Sequence, residues 1–175
     1  MHDNLLTRIL GSVALIASIL WFGTAFSAQV VAYDLFVTGT PDLRTLDASV
    51  QIHTIRIVSN LVAVSAGALL VAVPALVIFL RLRRALFAVR GYYMMAVALG
   101  VAGAPAAMYA AMRGWTLYSM FADHTQASVD LLPSVMPVFM TMYTTQGWTH
   151  FVAEIVYVTI MAVFVLRPLH KSENA

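Results

Sequence analysis

Two sets of polar side chains interrupt an otherwise apolar sequence. The stretch "QIHTIRIVSN" carries His53, Arg56 and Asn60 at spacings of three and seven, and "QGWTHFVAEIVY" carries His150, Glu154 and Tyr157 at four and seven. Each spacing puts its residues on one face of an α-helix. Three chemistries suit these groups. In the first, His53 and His150 are axial ligands of a haem b between two helices, Arg56 neutralises a propionate, and Asn60 or Tyr157 adds a hydrogen bond. In the second, His53, His150, Glu154 and His124 hold a transition metal such as zinc, iron or copper. In the third, histidine and glutamate exchange protons in quinone-linked redox or proton transfer, because an imidazole loads and releases a proton near neutral pH.

Glu154 also poses an energetic question. A charged residue near the centre of a membrane helix costs roughly 2.5–3.5 kcal/mol on insertion scales, so it needs a partner. Arg56 follows His53 by three positions as Glu154 follows His150 by four. The expectation is that these two helices adjoin, that their polar stripes lie at similar depth, and that Arg56 pairs with Glu154. The same pair also fits a non-catalytic accessory or assembly subunit, in which it only fixes helix packing.

The elements that must position these residues follow from composition. Of 175 residues, 61% are hydrophobic and 10% charged, far more apolar than soluble domains, which average about 45–50% apolar. Roughly 20 apolar residues cross a bilayer core, and four segments reach that length, at about 9–33, 54–80, 91–112 and 148–167. The expected fold is all-α: a four-transmembrane-helix bundle in a single integral membrane domain, with loops at 34–53 and 113–147. The apolar run of the first segment continues past "GTAFSA" through Val30, Val31 and Ala32, so it reads as a span and not as a signal peptide.

Cations set the orientation. Arg8, Arg81, Arg83, Arg84, Arg90, Arg167 and Lys171 fall on one side, which the positive-inside rule makes cytoplasmic together with both termini. The location expected is a bacterial inner membrane. The net charge of +2 is anchoring charge and does not suggest nucleic acid. The lipid bilayer is the first partner, with other membrane subunits or a second copy of the chain next. The absence of cysteine removes thiol nucleophiles, Fe–S clusters and disulfide exchange.

The second loop is too apolar for full solvation and too broken by proline for a span, so one or two interfacial helices are expected there. Met108, Met112, Met120, Met136, Met140 and Met142 at or beyond the end of the third span suggest either adaptable apolar filling or a surface for Cu(I). Gly100 and Gly103 suit close helix approach.

Four spans, cytoplasmic termini and an interfacial second outer loop resemble the small quinone-linked thiol oxidases of bacterial inner membranes in topology and length. Those enzymes act through cysteine pairs in both outer loops, and this chain has none, so the resemblance carries no activity. Small haem-binding tetraspan proteins and copper-resistance membrane proteins share the same general appearance.

Overall fold

Five α-helices account for most of a computed structural model that describes residues 5–84, 90–122 and 128–166. They are α1 (Leu5–Tyr33), α2 (Ala48–Leu82), α3 (Gly91–Ala122), α4 (Leu132–Met140) and α5 (Gly147–Leu166). Four of them, α1, α2, α3 and α5, are long and apolar enough to cross a membrane. His124 and its neighbours at 123–127 lie outside the described residues, as do Arg167, Lys171 and the outermost termini.

Small residues set the packing of α1. Its buried face repeats through Ala14, Ala17, Trp21, Ala25, Ala28 and Ala32. The buried seam of α2 runs Ile52, Ile55, Ser59, Val62 and Ala66, the alternating three-and-four spacing of a coiled-coil interface. Alanine on α1 lets the two backbones approach where lipid supplies no hydrophobic drive. Glycine does the same for α3. A Cβ on Gly114 would stand 2.9 Å from Cβ of Val62, and one on Gly103 would stand 2.7 Å from Cγ1 of Val156 on α5.

The spans form a ring in the order α1, α2, α3, α5, each packed on the next, with α5 returning to α1. The diagonal pairs, α1 with α3 and α2 with α5, make no backbone contact. This corrects the expectation that the helices bearing His53 and His150 adjoin.

Two helices outrun a bilayer. At 1.5 Å per residue, the 35 residues of α2 and 32 of α3 reach roughly 50 Å, against a hydrocarbon core of about 30 Å. The excess lies at the loop end, where both long connections sit. Ile52, Ile55 and Val58 of α2, Leu117 and Phe121 of α3, Leu35 and Phe36 after α1, and Val135 and Phe139 of α4 there form one apolar core. The short helix α4 therefore turns its buried face onto the protein's own helix ends. Its C-terminus runs into a π-helical turn, Thr141–Thr145, whose Met142 and Tyr143 are buried in the same core. The first connection is tied by backbone pairing of Phe36 with Leu43 and turns at Gly39, whose φ of 82° suits glycine.

Candidate functional site

The inner face of α5 carries His150 and Glu154, both buried, with Tyr157 half-buried one turn further on. From Gly147 to Glu154 is roughly 10 Å along the helix axis. Just above Gly147, Nε of Arg113 donates to Oε1 of Gln146 at 2.9 Å, and Trp115 and Trp148 are exposed at neighbouring positions. Arginine and tryptophan favour headgroup level, so Glu154 stands well inside the apolar layer.

Its partner is Gln29. The side-chain amide of Gln29, buried on α1, donates to Oε1 of Glu154. Gln29 lies among the alanines of the α1 packing face, and a lone amide at a small-residue position is the signal that sequence reasoning overlooked. An amide donor lets a carboxylate stay in an apolar bundle without a countercharge, because a hydrogen bond to a charged group is worth about 1.5–3 kcal/mol.

The Arg56–Glu154 pair is not formed. Among the described residues the ion pair is Arg44–Asp34, at 3.1 Å on the surface. Arg56 is half-buried and engaged away from Glu154, while His53 and Asn60 are exposed on the outward face of α2. The depths differ as well. Val62 packs opposite Gly114, next to Arg113, so His53, nine residues earlier, stands roughly 13 Å nearer the loop end. Polar residues were read as the inward stripe of α2, whereas its interior is built from Ile, Val, Ser and Ala. His53 is therefore exposed on α2 while His150 is buried on α5. Among the described residues no three of His, Asp and Glu cluster with metal-ligand spacing.

The methionines divide between two environments. Met108 and Met112 line an outward apolar groove with Leu70 and Trp115, while Met120, Met136, Met140 and Met142 pack in or against the loop-end core. Met108 and Met112 are exposed, while the other four are packed at the loop end.

Around Glu154 the bundle encloses a cavity lined by Trp21, Ala25, Ser65, Ala107, Ala110 and His150 among others. Its volume of about 20 Å³ compares with the about 10–15 Å³ that one water requires. Below it, Tyr157 stacks on Phe22 at 5.0 Å and meets Trp21 edge-on at 5.5 Å, closing the site toward the bilayer centre.

Above it, rings rise toward the loops. His150 stacks on Tyr143 with centroids 5.7 Å apart and planes 8° from parallel. Tyr143 meets Tyr33 of α1 edge-on at 6.1 Å and Phe139 of α4 at 5.0 Å. Gly147 makes room here, since a Cβ at that position would stand 3.2 Å from the Tyr33 hydroxyl. Burial, with Tyr33 and Glu154 nearby, pushes the Tyr143 phenol far above its ordinary range, so it stays protonated. Tyr143 was not singled out from sequence. Its position depends on a π-helical turn that no local pattern announces.

No protein-family model, no curated protein and no solved structure matches this chain.

Proposed function

We propose that this membrane protein takes up and releases a proton at Glu154, with His150 as the neighbouring carrier on the loop side. The observation that carries this reading is a buried carboxylate deep in the span, held by a neutral amide and open to a cavity that His150 also lines. Ionisable residues inside a membrane mark proton and ion pathways more often than they serve packing. A Gln donor serves a carboxylate and, by its carbonyl oxygen, a protonated carboxyl as well. The cavity is sized for a water or hydronium, which favours proton chemistry over a haem or a quinone ring at this point. The distribution of Lys and Arg supports cytoplasmic termini and a loop end facing the opposite side, in a bacterial inner membrane.

Infrared titration of the protein in nanodiscs tests the reading. A carboxyl band that appears and disappears with pH in the wild type and is missing from Glu154→Gln is the expected result. A protein in which no titrating carboxyl maps to Glu154 would refute it.

A second reading has its own observation. Gln29–Glu154 joins α1 to α5, the neighbouring pair with the least extensive packing, which suits an accessory subunit whose polar contact only closes the ring. On that reading Glu154→Gln, which keeps a hydrogen bond to Gln29, preserves both the fold and the activity of the larger complex.

A further inference from the structure

One buried polar atom is left over by the site just described. Among the described residues, Oη of Tyr143 is the buried side-chain nitrogen or oxygen with no hydrogen-bond partner, and the residue is 2% exposed. An orphan buried hydroxyl is destabilising, and native structures retain few of them. Its place in the fold gives the reason. Tyr143 lines, with Tyr33, Phe36 and residues 37–41 of the first connection, a cleft open at the loop end. On its other side it lies flat on His150, which lines the inner cavity with Glu154. It also occupies a π-helical turn, a distortion found mostly at functional sites.

We infer that Tyr143 is the gate between the loop-end cleft and the buried Glu154, its hydroxyl kept without a protein partner so that it can hand hydrogen from one side to the other. This rests on the proton-handling role given above to Glu154 and names its point of entry. The transfer is balanced. Oη is closed to solvent at rest; when the turn opens to admit water on both sides, a hydronium on the cleft side gives a hydrogen to Oη while the phenol gives its own toward the cavity, past His150, where the Glu154 carboxylate takes it up. Water remains outside, Glu154 is neutral inside, and the phenol is restored once its O–H bond rotates back. No electron moves. The ionisable groups facing Tyr143 are Tyr33 on α1 and His150 and Glu154 on α5, while α4 contributes Phe139. Because the phenol stays protonated, it is always loaded with the hydrogen it must pass.

The test compares wild type with Tyr143→Phe in nanodiscs, reading two quantities at the Glu154 carboxyl band: its titration at equilibrium, and its rate of hydrogen–deuterium exchange after transfer to heavy water. The expected result is an unchanged titration with exchange slowed at least tenfold, in a variant that melts no lower than wild type. Equal exchange rates with a normal titration would overturn the gate and leave the role of Glu154 intact. A Tyr143→Phe protein that melts lower would also overturn it, because the hydroxyl would then have had a partner to lose. Failure of Glu154 to titrate even in wild type would remove the proton reading itself, and the gate with it.

Discussion

The amide of Gln29 donates to the carboxylate of Glu154 across 125 positions of chain, joining α1 to α5. The ring of four helices closes at this contact. Removing the donor and removing the acceptor therefore have unequal effects. Gln29→Leu leaves a carboxylate with no donor and should destabilise the protein by about 1.5–3 kcal/mol. Glu154→Gln retains an amide pair and should change stability by less than about 1 kcal/mol. The double variant Gln29→Leu/Glu154→Leu should recover most of the loss, since a buried polar pair replaced by apolar groups is often near neutral. Unfolding in mild detergent of wild type, Gln29→Leu, Glu154→Leu and the double variant provides the measurement, and additive effects would mean that the two side chains do not interact.

Tyr143 makes a prediction of opposite sign. Deleting a hydroxyl that has no partner removes an unpaid desolvation, so Tyr143→Phe should stabilise the fold by about 1 kcal/mol or more. Thermal melting in detergent decides the sign.

The same residue sets an alkaline limit. The ordinary tyrosine value is 10 and burial raises it in the folded state, so above pH 10 the unfolded chain loses the phenolic proton while the folded chain keeps it. The folded state then binds more protons, and stability falls as pH rises, by up to about 1.4 kcal/mol per pH unit for one group. Below the unfolded value the contribution is fully present. Unfolding followed through the alkaline range should show this slope in wild type and a shallower one in Tyr143→Phe.

Close packing at Gly103 gives a further test. A methyl there would stand 2.7 Å from Cγ1 of Val156, so Gly103→Ala should cost about 1–3 kcal/mol as an overpacked contact. Adding Val156→Ala should relieve it. If Gly103→Ala melts like wild type, α3 and α5 are not in that register.

Depth can be read chemically because the chain has no cysteine. Single cysteines at His53 and Asn60, exposed beyond the level of Arg113, should react with a membrane-impermeant maleimide added on the loop side. A cysteine at Ala153, buried beside Glu154, should not. Equal labelling at all three positions would remove the depth difference between the polar residues of α2 and those of α5.

The sequence shows where the spans are and which face of α5 turns inward, because hydrophobic length and the four-and-seven spacing of His150, Glu154 and Tyr157 are local properties. It misleads at α2. Polar residues inside a helix of a membrane protein invite an inward reading, yet His53 and Asn60 are exposed on the outward face of α2, and His53 stands roughly 13 Å nearer the loop end than Val62. At 35 residues α2 is longer than the roughly 20 that a bilayer core requires, so its first turns need not lie at the depth of those of α5. Gln29 and Tyr143 were missed for another reason. Each becomes meaningful only through a partner more than a hundred residues away, as for Gln29, or through a turn geometry set by tertiary packing, as for Tyr143.

The closed ring of helices also bears on biosynthesis. Gln29 belongs to a span that is synthesised before the one carrying Glu154. The amide donor is thus made before the acidic residue that needs it. Without α5, the buried amide of Gln29 on α1 would lose the acceptor it has in the folded ring.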